Sequence, residues 1–114
     1  MIKRGEIYWI NPPLTIGSEQ AGRRPLLIIQ NDVGNSTSAT TIVAAVTSQT
    51  SRRWYPFHVS FTSQESGLRR DGIVKCEQIQ TVDQSRLGRF LGRLSAEKMR
   101  EIDMALHHSL GLEH

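Results

Sequence analysis

Four stretches of the chain have the apolar patterns of β-strands. Arg4–Ile10 and Phe57–Phe61 alternate between apolar and polar positions, as strands with one buried face do. Pro25–Gln30 and Thr41–Thr47 are almost continuously apolar, so we predict two strands that are covered on both faces. The alanines in the middle of Thr41–Thr47 also indicate that another backbone approaches closely there.

The second half of the chain is predicted to add strands and then a helix. Ile73–Val82 is predicted to be a strand that bends near Gln80, and Arg86–Gly92 to be a short strand or a single helical turn. Ser95 suits the N-cap of a helix, and Gly111 suits its C-terminal end. The apolar residues between them that share one helical face are Met99, Ile102, Leu106 and Leu110.

The segments between these elements are rich in Pro, Gly and small polar residues, which favours loops and turns. They are NPPLTIGSEQAG at 11–22, NDVGNSTSA at 31–39 and TSQESGLRRDG at 62–72. Five or six short strands and one terminal helix predict a mainly β fold, a small curved sheet or barrel with the helix over one end or edge. We expect one domain over residues 1–111, because 112–114 resemble the start of a purification tag.

Composition narrows the class of protein without defining its function. The 114 residues suffice for one hydrophobic core, and 38% apolar and 22% charged residues suit a globular domain. The net charge of +3 favours an anionic partner only slightly. The absence of a signal peptide and of a run of about 20 apolar residues predicts a cytoplasmic protein without a membrane segment. The lone Cys76 excludes an intrachain disulfide, and its apolar neighbours predict that it is buried.

Arg24 is the first candidate for chemistry. It precedes Pro25, which favours an extended backbone, and it stands at the entry of a predicted buried strand. A guanidinium held in this way suits two-point binding of a phosphate. The alternative is an arginine that only pairs with Glu19 or Asp32 at a soluble rim. Thr47 and Ser48 end the other buried strand, so Thr47 comes near Arg24 if the two strands are neighbours.

Other polar residues are candidates for binding a nucleic acid. Arg52, Arg53 and Trp54 precede Tyr55 and Phe57, and this mixture of cations and aromatic rings is typical of sites for single-stranded nucleic acid. The alternative is that the aromatic rings anchor the loop in the core.

A second pair of candidates lies inside a predicted strand. Glu77 and Gln78 are adjacent there, so only one of them is expected to face any given groove. The histidines lack metal-ligand spacing and one cysteine cannot form a thiolate cluster, so we expect neither a metal nor a cofactor.

Five sequence blocks, in this order, resemble the MazF/PemK family of toxin endoribonucleases from about Lys3 to Gly111. They are RGEIYWI, GSEQAGRRPLLIIQND, IVAAVTSQ, CEQIQTVD and RLGR. The resemblance implies an SH3-like barrel, a homodimer, and metal- and ribosome-independent cleavage of single-stranded mRNA. It also implies a cognate MazE-like antitoxin whose acidic tail blocks the RNA site.

The resemblance also implies roles for individual residues. Arg24 and Thr47 fall on the active-site positions, and Glu19 falls where the family is often assigned a proton-transfer role. The residues expected to bind RNA are Ser18, Gln20, Ser48, Arg52, Arg53, Trp54, Glu77 and Gln78. Two other classes stay open from the sequence: a gyrase-poisoning toxin with the same barrel, and a non-enzymatic SH3-like binding module.

Overall fold

The computed structural model describes residues 1–11, 24–48 and 55–112 of the chain. The strands are β1 (Glu6–Ile10), β2 (Pro25–Ile28), β3 (Thr40–Ser48), β4 (His58–Phe61), β5 (Gly72–Asp83) and β6 (Leu87–Arg93). The helices are α1 (Asp32–Thr37), α2 (Ser63–Ser66) and α3 (Ala96–Leu110), and a 3₁₀ turn spans Gln84–Arg86.

The strands form one six-stranded sheet in the order β4-β5-β3-β2-β1-β6. All five neighbouring pairs are antiparallel. Within the described residues the sheet is open, because the edge strands β4 and β6 do not pair with each other. This architecture confirms the predicted mainly β fold with a C-terminal helix.

The central strands β2 and β3 are covered on both faces, as their apolar runs predict. Leu27 and Ala44 belong to the larger core cluster, which also contains Ile102 of α3. Leu26 and Val43 face the other way, into a second cluster on the opposite side of the sheet. The sheet therefore has a core on each face, and α3 packs against β4 and β5 on only one of them.

Two segments that were predicted to be loops contain short helices. In 31–39 the Asn31 side chain accepts a hydrogen bond from the Gly34 amide at 2.7 Å, and this cap starts α1. In 62–72 Thr62 and Glu65 form a reciprocal capping box at the start of α2. The loop prediction was wrong for α1 and α2, because small polar residues favour helix caps as much as turns.

The C-terminal helix begins and ends where the sequence predicts. The Ser95 hydroxyl accepts from the Lys98 amide at 3.1 Å, and Gly111 ends α3 with φ 68° in the left-handed region. Leu110 was wrongly assigned to the buried face, since it is 56% exposed in the last turn, and Ala105 is buried instead. In the part of the chain that the structure describes, no helix has both the length and the apolar character required to cross a membrane.

Strand β5 is irregular close to the predicted bend. Ala44 pairs with Ile79, but the next residue, Ala45, pairs with Lys75. The residues between them, 76–78, therefore have no partners in β3. The irregularity lies just before Gln80 and contains both Glu77 and Gln78.

Candidate active site

The pairing of β2 with β3 brings the two leading candidates together. Leu26 pairs with Ala45, and continuing this antiparallel register by two residues sets Arg24 opposite Thr47. Both residues line one groove with a volume of about 1050 Å³ at this end of the sheet. The Nη1 atom of Arg24 is shielded from solvent, so its charge acts in a medium of lower dielectric constant than water.

Close packing behind Thr47 fixes its position. Thr47 pairs with Ile73 of β5, and the next residue, Ser48, pairs with Gly72. A Cβ atom on Gly72 would lie 2.9 Å from the Thr47 carbonyl oxygen and 2.5 Å from Cζ of Phe61. Glycine is therefore required at this position for β5 to approach both neighbours. Ser48, which also lines the groove, is held by the same contact.

The groove carries more positive charge than the sequence indicates. The lining cations are Arg24, Arg69, Arg70, Lys75 and Arg89, whereas Asp71 is the one carboxylate among the described lining residues. Trp9 and Phe90 add aromatic surface. The sequence shows two adjacent arginines in the segment 62–72, but none of its patterns predicts that this segment lines the same groove as Arg24.

Glu77 and Gln78 occupy different environments beside the groove. Glu77 is exposed, and the His58 Nε2–H group donates to its carboxylate at 3.0 Å. The His58 ring makes edge contacts with Tyr55 and Phe57, with 5.0 Å between ring centroids in each pair. Gln78 is half-buried, and its Oε1 atom is shielded from solvent. Neither Glu77 nor Gln78 lines the groove itself.

Several predicted site residues lie outside the described part of the chain. They are Ser18, Glu19, Gln20, Arg52, Arg53 and Trp54. The structure therefore brings together Arg24, Thr47 and Ser48 from the predicted set, and the roles of all these residues stay predictions.

The described residues include no reactive thiol and no cluster of metal-binding side chains. Cys76 is fully buried, and burial raises the pKa of its thiol to about 12, so it is protonated at neutral pH and is not a nucleophile. Across residues 1–11, 24–48 and 55–112, no group of three or more His, Cys, Asp or Glu side chains could hold a metal ion. What the groove does offer is fixed positive charge and a hydroxyl, which suits an anionic ligand such as a phosphodiester.

Comparison with known proteins agrees with this geometry. A protein named Endoribonuclease EndoA, from Bacillus subtilis (strain 168), is 43% identical over 112 residues, covering 98% of this chain and 97% of that protein. A solved mycobacterial endoribonuclease in complex with its cognate antitoxin has a TM-score of 0.82 at 28% identity, covering 100% and 99% of the two chains. MazF (Form-I) from Deinococcus radiodurans has a TM-score of 0.75 at 28% identity, covering 96% of each chain. Residues 3–110 match the family described as "PemK-like, MazF-like toxin of type II toxin-antitoxin system", and the chain belongs to this family.

Proposed function

We propose that this protein is the toxin of a type II toxin–antitoxin system and a sequence-specific endoribonuclease that cleaves single-stranded mRNA. The observation that carries the proposal is the placement of Arg24 opposite Thr47 at a basic groove. The relatives from Bacillus subtilis and from mycobacteria, which are named endoribonucleases, support it. Cleavage is expected to require neither a metal ion nor the ribosome.

The proposed reaction uses a nucleophile that RNA itself supplies. The 2′-hydroxyl attacks the adjacent phosphorus, and the bond from phosphorus to the 5′ oxygen of the next nucleotide breaks. The 2′-hydroxyl proton passes to a base and the departing oxygen takes up a proton, which leaves a 2′,3′-cyclic phosphate and a 5′-hydroxyl. The protein must therefore place a base, an acid and a group that stabilises charge on the phosphorane.

The described residues suit the stabilisation of charge and also the positioning of the phosphate. The Arg24 guanidinium is partly desolvated, so it can stabilise the extra negative charge of the phosphorane through paired hydrogen bonds. The Thr47 hydroxyl can donate to a phosphate oxygen and so orient the phosphorus for attack. Glu19 is the proposed base, because a guanidinium holds its proton too tightly to act as one.

The surroundings of the groove suit the remaining parts of the proposal. Ser48, Glu77 and Gln78, together with Ser18, Gln20, Arg52, Arg53 and Trp54, are the proposed RNA-binding residues. An acidic segment of a MazE-like antitoxin would be electrostatically complementary to the same basic groove, which explains how it blocks RNA. The active unit is proposed to be a cytoplasmic homodimer.

The test is cleavage of a long single-stranded RNA in EDTA, followed by mapping of the 5′ ends. We expect fragments with 5′-hydroxyls that share one short sequence. Arg24→Ala should abolish cleavage, and Thr47→Val should slow it by roughly a hundredfold or more, the effect of removing one transition-state donor. Thr47→Ser keeps the hydroxyl and is the matched control, so it should retain most of the activity.

Either of two results would contradict the proposal. One is intact RNA after incubation with folded, antitoxin-free wild-type protein, which would favour the alternative functions of a non-enzymatic binding module or a gyrase poison. Full activity of Arg24→Ala, with the circular dichroism spectrum of the wild type, would show that the cleavage centre lies elsewhere.

A further inference from the structure

Three arginines besides Arg24 line the groove and form a second group of cations there. Arg69 and Arg70 lie in the loop between α2 and β5, and Arg89 lies on the edge strand β6. All three are exposed and line the same groove as Arg24. We call Arg69, Arg70 and Arg89 the arginine wall.

The charges of the arginine wall have no neutralising partner in the described part of the chain. Arg4 and Arg93 each have a carboxylate oxygen within 4.0 Å, whereas no member of the wall does. The nearest acid in sequence, Asp71, accepts a hydrogen bond from the Ser63 amide at 2.8 Å and so holds the start of α2. Like charges that converge on one groove without an internal partner favour an anionic ligand there.

The wall is held in place by packing of α2 against β6. A Cβ atom on Gly92 would overlap the carbonyl oxygen of Ser66, so glycine allows the end of α2 to touch the backbone of β6. Gly67 then turns the chain with φ 82°, and the loop with Arg69 and Arg70 follows directly. Two elements that are distant in sequence therefore present their arginines to one groove.

The shape and chemistry of the wall fit an extended polyanion with bases. Guanidinium groups bind phosphates through two parallel hydrogen bonds, and successive phosphates need several separate cations. Phe90, next to Arg89, is 45% exposed and lines the groove. Its ring contacts Tyr8 and lies 5.5 Å from the Arg93 guanidinium carbon, and its exposed part offers a surface on which a base can stack. An acidic peptide would use the charges but has no base to stack on this ring.

We propose that the arginine wall binds backbone phosphates of the RNA substrate on one side of the cleaved bond, as a subsite separate from Arg24 and Thr47. The inference rests on the proposed function and adds a binding surface to it. The wall holds the RNA strand equally in the ground state and the transition state, so its loss should act mainly on affinity.

The experiment measures binding as a function of salt concentration. The probe is a fluorescent single-stranded 2′-O-methyl RNA of mixed sequence, which lacks the attacking hydroxyl and therefore stays intact. Arg69→Gln/Arg70→Gln and Arg89→Gln test the two elements of the wall separately. Arg100→Gln, an exposed arginine of α3 that does not line the groove, is the matched control.

Each lost phosphate contact should reduce the slope of log affinity against log salt by about 0.7 for a single strand. At about 0.1 M salt this corresponds to roughly fivefold weaker binding for Arg89→Gln and roughly 25-fold for the double variant. Arg100→Gln should keep the slope of the wild type. KM for cleavage of a long RNA should rise in parallel with the loss of affinity.

Two outcomes would overturn the inference. One is an unchanged slope in both wall variants while the wild type cleaves RNA, which would show that the wall does not touch the strand. The other is unchanged RNA binding together with weaker binding of an acidic peptide, which would assign the wall to a protein partner. Failure of the proposed function is a different result, since the wild type itself would then leave RNA uncleaved.

Discussion

Substitution of Gly72 by alanine tests whether tight packing behind Thr47 positions the active site. The new Cβ atom would lie 2.5 Å from Cζ of Phe61 and 2.9 Å from the carbonyl oxygen of Thr47. Phe61 is only 2% exposed and cannot swing into solvent, and the Thr47 carbonyl belongs to a paired strand. Both neighbours must therefore shift.

The expected cost follows from two opposing terms. Overpacking of a core typically costs about 1–3 kcal/mol, and contact with backbone places this site near the upper end. Gly72 does not have a positive φ, so alanine fits its backbone conformation. Alanine also restricts the unfolded chain, and this effect stabilises the folded protein by about 0.4–1 kcal/mol. We expect a net loss of about 2 kcal/mol in the free energy of unfolding. In urea, with a slope of about 2 kcal/mol per M, the midpoint falls by about 1 M.

A double-mutant cycle with Phe61→Leu separates the two contacts. Leucine removes the ring atoms that the new Cβ would meet. Gly72→Ala should therefore lower the free energy of unfolding by about 1 kcal/mol less in the Phe61→Leu background than in the wild type. Gly111→Ala is the control, because nothing lies within 4 Å of that position. Its cost comes from backbone conformation alone and should be the same in both backgrounds. All variants are compared at one protein concentration, because the apparent stability of the proposed homodimer depends on concentration.

The same variant links packing to activity. Displacement of the Thr47 carbonyl moves its hydroxyl relative to Arg24, so RNA cleavage by the folded Gly72→Ala protein should fall by at least tenfold. A free energy of unfolding within about 0.5 kcal/mol of the wild type, or an equal loss in both Phe61 backgrounds, would refute the packing argument. Full cleavage activity at reduced stability would show that Gly72 supports the fold but not the site.

Three further predictions concern buried groups. The fully buried Thr41 hydroxyl donates to the Asn35 Oδ1 atom at 2.7 Å. Asn35→Ala removes this acceptor and should lower the free energy of unfolding by about 3 kcal/mol, whereas Thr41→Val should lower it by less. Equal losses of the two variants in urea unfolding would argue against this network. Burial and the hydrogen bond to Glu6 raise the pKa of Tyr8 from 10.0 to about 12. Stability should therefore fall as the pH rises from about 10 to 12, because the unfolded tyrosine ionises first, and Tyr8→Phe should lack this part of the dependence. The Cys76 thiol should not react with a thiol reagent at pH 8 until the protein unfolds, and rapid labelling of the native protein would contradict its burial.

The sequence predicts the centre of the sheet well because β2 and β3 are defined by continuous apolar runs. The sequence left open whether these strands are neighbours, and their pairing in the structure sets Arg24 opposite Thr47. Such local signals also define α3, whose Ser95 cap and Gly111 end were both recognised. The two strands and the helix could be predicted because each is defined by residues that are close together in the sequence.

The arginine wall could not be predicted in the same way. Its position depends on the contact between Gly92 and Ser66, which are 26 residues apart and carry no motif in common. The helix α2 itself was overlooked, because the Thr62–Glu65 capping box is made of the residues that also form turns. Charge in a segment is visible in the sequence, but the surface that it shares with other segments is a property of the tertiary structure.

The register shift in β5 has a consequence for how this scaffold changes during evolution. Residues 76–78 add length to β5 without pairing to β3, while regular pairing resumes on both sides of them. Glu77 and Gln78 therefore have no directly opposite residue in β3, so exchanging them disturbs no cross-strand side-chain pair with that strand. Because Glu77 and Gln78 are proposed to bind RNA, substitutions at these two positions can change target preference while the paired residues on either side keep the sheet intact.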